Sequence, residues 1–305
     1  MIDLHLHLDG SLTPREVLSL ARLSGVTLPT EKQEELSSLL TFNGRGTLND
    51  YLQKFDLPLS VLQSAEGVEF AVCSLSDRLA DMGYEYAEIR FAPCLHTQKG
   101  ASMGEIVQGA VKGLRGTKLN EGLLLCCMRG RSREENLKTV ELAAEWKKQG
   151  VVGVDLAGAE ALYSTENYKE VFSLAARFGL NVTIHAGEAA SEESVAAALD
   201  FGAKRIGHGV AAAKSREMLQ RIKRNDVLIE VCPTSNLQTG AVDSLVAHPI
   251  KIFLDQGIPV ALCSDNMTVS DTDVPREWAK VKAVLSAEND LFERLQAQAR
   301  AHRFL

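Results

Sequence analysis

The sequence predicts an α/β protein whose parallel strands close into a (β/α)8 barrel of the TIM type, with extra lid helices after strand one. Short apolar runs alternate with helical runs, which is the pattern of a parallel sheet covered by helices. Eight such units occur in 305 residues, the size of one barrel. Polar side chains stand where strands end, and barrel sites are built at that edge. We expect one domain over residues 1–305, with the lid helices roughly at 13–82.

The first strand, residues 2–9, alternates between apolar and polar side chains. With a period of two, its polar side chains share one face: Asp3, His5, His7 and Asp9. Two histidines at i and i+2 point the same way and are close enough to share one metal ion. This stretch therefore predicts metal binding. The alternative is a half-exposed strand whose outer face is polar.

Helix signals follow the first strand. Thr13-Pro14-Arg15-Glu16 is a capping box with proline at the first helical position, and the helix it predicts stops near Gly25. A second helical segment is predicted at about 47–62, and a further helix up to about residue 82. The second segment carries an apolar face at i, i+3, i+4 and i+7, made of Leu48, Tyr51, Leu52 and Phe55.

From residue 85 onwards, strands and helices alternate regularly. The predicted strands are 85–92, 123–128, 151–156, 182–185, 205–208, 227–231 and 260–264, and the predicted helices between them include 133–148, 167–178, 191–199 and 215–224. A doubly wound open sheet is the alternative to a barrel. The first strand lacks the glycine-rich phosphate turn that such sheets carry, which favours the barrel.

The residues that indicate a metal site and a catalytic site stand where the predicted strands end. His5 and His7 end strand one, His185 ends strand five, His208 ends strand six and Asp265 follows strand eight. Zinc accepts three imidazoles and one carboxylate and still holds a water. The set His5, His7, His185 and Asp265 therefore predicts one zinc ion per chain, because strand four has no lysine to bridge a second metal.

A zinc site of this kind predicts hydrolysis. Bound zinc lowers the pKa of its water from 15.7 to roughly 7, which gives hydroxide at neutral pH. The substrate then needs a proton donor, and Glu188 lies three residues after His185 in the segment His-Ala-Gly-Glu. Its alternative role is that of a first-turn glutamate stabilised by the helix dipole.

Composition argues against several classes of protein. The net charge is −7 and no long basic run occurs, so neither nucleic acid nor an anionic membrane is an expected partner. No apolar run approaches the roughly 20 residues that span a bilayer, and the first residues lack the basic start of a signal peptide. Six scattered cysteines without a C-x-x-C pair predict reduced thiols and a cytoplasmic location. The oligomeric state is not predicted.

Eight short segments occur in this order along the chain: 5–11 (HLHLDGS), 88–93 (EIRFAP), 126–129 (CCMR), 154–158 (VDLAG), 185–188 (HAGE), 207–209 (GHG), 230–233 (EVCP) and 264–266 (SDN). With these segments the chain resembles the adenosine deaminases, the purine-nucleoside deaminase branch of the amidohydrolase barrels. The resemblance implies zinc-dependent hydrolysis of adenosine and 2′-deoxyadenosine to inosine and 2′-deoxyinosine, with release of ammonia.

The resemblance also assigns roles around the metal. His5, His7, His185 and Asp265 would hold the zinc, so that Asp265 counts among the catalytic residues and His7 also borders the substrate. Glu188 would protonate the purine at N1, which makes C6 electrophilic. His208 would orient the attacking hydroxide and stabilise charge as the tetrahedral centre forms.

The substrate contacts are likewise implied by the resemblance. Asp9 would bind a ribose hydroxyl, and the backbone N–H of Gly158 would meet N3 of the ring. The apolar face at Leu48, Tyr51, Leu52 and Phe55 resembles the lid that covers the purine. A helix that simply faces the core has the same spacing and is the alternative.

The chain departs from the family pattern at two points. Many members have an aspartate where Asn266 stands, and that aspartate must be protonated to donate to N7 of the purine. An asparagine amide donates directly, so Asn266 should keep this contact. The chain also stops at residue 305, short of where members usually run. We expect this to affect stability more than chemistry, since every proposed ligand precedes residue 267.

Two rival functions stay open at this stage. One is a sister deaminase that acts on adenine or on another 6-aminopurine derivative. The other is a non-catalytic relative that binds purine or metal. Glu188 and His208 argue against the second, because a binding protein needs neither a proton donor nor a residue that orients hydroxide.

Overall fold

The computed structural model describes residues 1–286 and 290–304, and these residues contain an eight-stranded parallel sheet. Its strand order is the order of the sequence, β1 to β8, which confirms the predicted barrel. The strands are β1 (Ile2–His7), β2 (Tyr86–Phe91), β3 (Asn120–Met128), β4 (Val151–Ala157), β5 (Asn181–Ala186), β6 (Arg205–His208), β7 (Leu228–Val231) and β8 (Val260–Leu262).

Helices cover the outside of the sheet. Between β1 and β2 lie α1 (Pro14–Ser24), α2 (Gln33–Leu40), α3 (Leu48–Leu52), α4 (Asp56–Val61) and α5 (Ala65–Asp81). The later helices are α6 (Met103–Leu114), α7 (Arg133–Trp146), α8 (Lys169–Arg177), α9 (Glu192–Asp200), α10 (Arg216–Arg224), α11 (Pro233–Gln238), α12 (Ile250–Asp255), α13 (Val274–Leu285) and α14 (Asp290–His302).

The predicted capping box at the start of α1 is present. The Thr13 side chain accepts a hydrogen bond from the Glu16 N–H at 3.3 Å, and the Glu16 carboxylate accepts from the Thr13 N–H at 2.6 Å. Gly25 ends the helix in the left-handed region at φ 66°, where glycine carries no steric penalty. Both ends of α1 therefore follow from local chemistry.

The helix predicted at 47–62 is interrupted. α3 ends at Leu52, residues 53–55 form a 3₁₀ turn, and α4 starts at Asp56. Pro58 explains the break, because a proline ring clashes with the carbonyl four residues earlier, here that of Lys54, and has no N–H to donate.

The barrel closes between β1 and the residues just after β8. The His7 N–H donates to the Asp265 carbonyl at 2.8 Å, and the Asp265 N–H donates to the His5 carbonyl at 2.8 Å. A parallel bridge joins Leu6 to Asp265. This seam brings Asp265 beside the two histidines of β1.

The lower end of the barrel, where the strands begin, is covered by α14 and the residues that follow it. The Gln296 side chain accepts from the Ile2 N–H at 2.6 Å. The Phe304 N–H donates to Glu88 at 2.7 Å, and the Phe304 carbonyl accepts from the Tyr86 hydroxyl at 2.6 Å. These contacts satisfy the backbone N–H of Ile2 and both backbone groups of Phe304, which would otherwise be buried without partners.

The described helices are short. The longest, α5, has 17 residues, and no described helix has the length and hydropathy needed to cross a bilayer.

Candidate active site

Four side chains meet at the upper end of the barrel, where the strands end. His5 and His7 come from β1, His185 from β5, and Asp265 from the seam after β8. Each offers one ligand atom, and these atoms all lie within 4.8 Å of one another. The His7 Nε2 atom lies 3.2 Å from the His185 Nε2 atom and 3.4 Å from Asp265 Oδ1.

Two of the imidazoles are oriented by buried carboxylates. His5 Nδ1 bonds Glu230 Oε2 at 2.7 Å, and His185 Nδ1 lies 3.0 Å from Asp155 Oδ2. Because a carboxylate only accepts, each Nδ1 carries the proton and each Nε2 presents a lone pair to the cluster.

The cluster fits a metal cation. His5 Nε2 is buried and has no hydrogen-bond partner in the described structure, and two imidazole nitrogens face each other at 3.2 Å. The lone pairs of His5 and His185 thus converge beside a third imidazole nitrogen and a carboxylate, an arrangement that a metal cation can satisfy. Three imidazoles and one carboxylate are a donor set that zinc accepts.

Arg90 connects the two orienting carboxylates. One guanidinium nitrogen lies 2.9 Å from Asp155 Oδ2, and the other lies 3.0 Å from Glu230 Oε2. Arg205 adds a contact to Glu230 at 2.7 Å. Burial alone would raise the pKa of Glu230, but the guanidinium groups of Arg90 and Arg205 hold it well below its usual range. The carboxylate is therefore ionised and able to accept from His5.

Asp265 and His208 have unusual backbones. Their φ angles are 61° and 65°, in the left-handed region. Residues other than glycine carry a cost of about 1–3 kcal/mol in such sparsely populated conformations, which persist where the surrounding structure imposes them. Here the seam hydrogen bonds of Asp265 impose its conformation.

Glu188 lies in the loop after β5 with its side chain buried. Its Oε1 atom accepts from the Thr239 hydroxyl at 3.0 Å, and its Oε2 atom lies 3.6 Å from His208 Nε2. Burial, followed by the negative charges of Asp265 and Glu160, raises its pKa to about 8. At neutral pH Glu188 is therefore a carboxylic acid that can donate a proton.

Glu160 holds the loop that carries Glu188. Its carboxylate is buried and accepts from three consecutive backbone N–H groups, those of Gly187 at 2.6 Å, Glu188 at 3.0 Å and Ala189 at 2.7 Å. A carboxylate bound by several N–H groups is firmly placed. The position of Glu188 is thus set by its backbone as well as by Thr239.

These groups open onto a cavity of about 300 Å³, within the size range of small-molecule sites. Asp9, Gly158 and Asn266 line it, as do all four apolar residues of the predicted lid. Burial raises the pKa of Asp9 to about 6. The Asn266 Nδ2 atom donates to Asp265 Oδ1 at 2.7 Å, so this amide also fixes the rotamer of a cluster residue.

The predicted lid residues face the cavity. Leu48, Leu52 and Phe55 are half-buried, and the Phe55 ring centroid lies 6.5 Å from that of His7. Tyr51 is buried and its hydroxyl bonds Ser270 at 2.6 Å. Tyr51 thus attaches the segment to the barrel, while the other three leave apolar surface towards the cavity. This placement favours a lid over a helix that only faces the core.

Several site residues were missed by reasoning from the sequence: Asp155, Glu160, Glu230, Asn236 and Thr239. Asp155 and Glu230 lie inside segments used for the family resemblance, but no role was assigned to them. A charged residue in the middle of an apolar strand was the available signal, because it must be paired when buried. Glu160, Asn236 and Thr239 lie in loops or a short helix and gave no such signal.

The chain is similar to known proteins in sequence and in fold. A family model described as "Adenosine deaminase" matches residues 1–305. The chain is 44% identical over 288 residues to the adenosine deaminase of Haemophilus ducreyi, covering 91% of this chain and 84% of the relative. Among solved structures, adenine deaminase from Arthrobacter aurescens superposes with a TM-score of 0.89 at 26% identity, covering 100% and 93% of the two chains. The arabidopsis N6-mAMP deaminase gives a TM-score of 0.88 at 26% identity, covering 100% and 93%.

Proposed function

The chain belongs to the adenosine deaminase family and is a hydrolase that acts on a C–N bond, and from this premise we propose that its substrates are adenosine and 2′-deoxyadenosine. The products are inosine or 2′-deoxyinosine and ammonia. The observation that carries the proposal is the buried carboxyl group of Glu188 beside the His5, His7, His185 and Asp265 cluster, at the end of an apolar cavity.

We assign one zinc ion per chain to His5, His7, His185 and Asp265. Zinc in such a site lowers the pKa of a water to roughly 7 and so supplies a nucleophile at neutral pH. Asp155 and Glu230 keep the Nε2 lone pairs of His185 and His5 directed at the cluster. Arg90 keeps both of these carboxylates ionised and in place.

The remaining polar groups act on the substrate. Glu188, as a carboxylic acid, would donate its proton to N1 of the purine, which withdraws electrons from C6 and prepares it for attack. His208 would orient the attacking oxygen and stabilise the charge that develops there. The lid residues Leu48, Tyr51, Leu52 and Phe55 would cover the base and exclude water from it.

Recognition is assigned to three further groups. Asp9 would bind a ribose hydroxyl, the Gly158 N–H would donate to N3, and Asn266 would donate to N7 with the amide hydrogen that it does not give to Asp265. Gly158 has φ 101°, which lets its backbone turn towards the cavity at little cost.

The structural relatives point to two rival substrates, adenine and N6-methyl-AMP. Asp9 argues for a nucleoside, because its carboxylate is buried in the cavity wall. Once ionised it would repel a 5′-phosphate, whereas a ribose hydroxyl can donate to it. Free adenine has no hydroxyl to donate to this carboxylate, which would keep, within the described structure, only its contact with the Gly10 N–H.

The test is a substrate panel. Protein loaded with zinc is given adenosine, 2′-deoxyadenosine, adenine, AMP and N6-methyl-AMP, and ammonia or methylamine release is measured. We expect the two nucleosides to have the highest kcat/KM. A preference for adenine or for a nucleotide would replace the proposed substrate, and release from none would favour a non-catalytic binding protein.

Elemental analysis completes the test. We expect about one zinc per chain, activity lost on chelation and activity restored by zinc. Two tightly held metals per chain would contradict the mononuclear site, as would full activity in protein without metal.

A further inference from the structure

His208 stands at the end of a chain of three buried hydrogen bonds. The Ile250 N–H donates to His248 Nδ1 at 3.1 Å, His248 Nε2 lies 3.1 Å from Asn236 Oδ1, and Asn236 Nδ2 lies 2.9 Å from His208 Nδ1. His208, Asn236 and His248 are 1%, 0% and 5% exposed. Water therefore does not compete for these contacts.

The backbone amide at the start of this chain fixes the direction of every bond. Because an N–H can only donate, His248 Nδ1 must accept, and its single proton lies on Nε2. Burial lowers the pKa of His248 to about 4, so the ring is neutral and carries only that proton. His248 then donates to the oxygen of Asn236, which leaves the amide nitrogen of Asn236 to donate to His208.

We propose that Asn236 and His248 are positioning residues that lock His208 as the Nε2–H tautomer. Its Nδ1 lone pair is occupied by Asn236, so the ring presents an N–H, and not a lone pair, to the cavity. In this form His208 donates a hydrogen bond to the oxygen that attacks C6, and it neither ligates a metal nor accepts a proton from that oxygen.

Two of the three clustered imidazoles show the reverse arrangement. His5 and His185 donate Nδ1–H to Glu230 and Asp155, and therefore direct Nε2 lone pairs inwards. For these three histidines the partner at Nδ1 sets what Nε2 can do: a carboxylate leaves a lone pair on Nε2, whereas a donating amide leaves an N–H. This separates His208 from the four clustered residues, although its ring lies only 5.1 Å from that of His5.

The tautomer can be measured directly, without substrate. ¹⁵N-labelled histidine in the zinc-loaded protein gives different shifts for protonated and bare ring nitrogens. The His208 signals are assigned by comparison with a His208→Gln variant. We expect His208 to be protonated at Nε2 and His5 and His185 at Nδ1. A His208 ring protonated at Nδ1 would overturn the proposal.

Kinetics test the consequence for catalysis, which rests on the proposed function. Asn236→Asp replaces the donor by an acceptor of the same shape and should lower kcat about 10- to 100-fold with KM little changed. His248→Phe removes the donor to Asn236 and should also lower kcat. His248→Gln can still donate to Asn236 and should recover most of the activity.

His96→Gln is the matched control. His96 is also fully buried and bonded to a backbone carbonyl, that of Leu62 at 2.7 Å, but it has no described link to His208. We expect it to lower stability while kcat stays near that of the parent. Parent-like kcat in folded Asn236→Asp would overturn the positioning role. If no substrate is turned over at all, the proposed function fails, and the ¹⁵N spectrum still decides the tautomer.

Discussion

The carboxyl group of Glu188 is favoured in its protonated form and is also held in one orientation. A carboxyl group in water has neither property at neutral pH. Its burial and the nearby charges of Asp265 and Glu160 favour the neutral acid. Thr239 and the N–H contacts of Glu160 hold the group in place. A proton donor with its pKa near the working pH is the efficient form of general acid.

Glu188→Gln should abolish most turnover while zinc stays bound, because an amide cannot deliver a proton to N1. A general acid contributes about 10²–10⁴-fold to rate, and we expect at least this loss in kcat. The measurement is steady-state kinetics together with zinc content. Glu193→Gln, at an exposed position at the start of α9, is the control and should keep parent activity. A small effect of Glu188→Gln would mean that another group supplies the proton.

The activity should fall on the alkaline side. The folded-state pKa of Glu188 is raised to about 8, so the active protonated form predominates below that pH and is lost as pH rises through it. We expect kcat/KM to have an alkaline limb with an apparent pKa near 8. Removing the Thr239 hydroxyl, which stabilises the ionised form, should move this limb to higher pH in Thr239→Val. If the alkaline limb of Thr239→Val stays at the parent pH, the titration of a different group causes it.

At the scale of single elements, the break between α3 and α4 determines which side chains of the lid face the cavity. A continuous helix would direct its apolar face along one line. With the 3₁₀ turn at 53–55, Tyr51 is attached to Ser270 while Phe55 reaches towards His7. The lid is therefore a short, jointed segment that is attached at one residue and apolar towards the cavity.

Leu52→Ala and Phe55→Ala should raise KM more than they lower kcat, because they remove apolar surface from the substrate and leave the cluster intact. Losing a large side chain from an apolar contact corresponds to about 1–3 kcal/mol, or roughly 5- to 150-fold in affinity. Leu162→Ala, at a position 64% exposed and outside the cavity lining, is the control. An unchanged KM with a large drop in melting temperature would instead indicate a role in the core.

At the scale of the whole molecule, the barrel interior holds a charged network below the site. Glu88, Arg90, Arg205 and Glu230 are fully buried, and their ion pairs connect β2, β6 and β7. Each charge is compensated only while its partners stay in place. The network therefore links the stability of the barrel to the orientation of His5 and His185.

Arg90→Met should destabilise the fold and weaken zinc binding together, since it leaves Asp155 and Glu230 buried without their shared cation. Breaking a buried pair typically costs about 3–5 kcal/mol. Urea denaturation and zinc titration measure the two effects. Arg221→Met removes a largely exposed pair with Asp200 and should change stability by at most about 1 kcal/mol. Arg90→Met with unaltered zinc affinity would show that Arg90 does not support the ligands.

The sequence predicted the barrel and brought the four clustered residues together, because both depend on local signals: a period of two in β1 and polar residues where strands end. It did not predict the network, since Arg90 pairs with Asp155 and Glu230, 65 and 140 residues away. A charge within an apolar strand signals that it needs a partner, but which residue becomes that partner follows only from three-dimensional closure. The lid break had a local signal, Pro58, which the helical spacing of the apolar residues obscured.

The seam between β1 and the end of β8 has a consequence for folding kinetics. Its contacts join the two ends of the chain; the Ser264 N–H, for example, donates to Asp3 at 3.1 Å across a separation of 261 residues. Joining residues so far apart in the sequence costs loop-closure entropy before the contact is gained, so we expect this seam to form late in folding. A cation held by His5, His7 and Asp265 would therefore be bound after the rate-limiting step of folding. Interactions absent from the transition state slow unfolding without speeding folding. The bound metal should therefore lower the unfolding rate and prolong the lifetime of the native state.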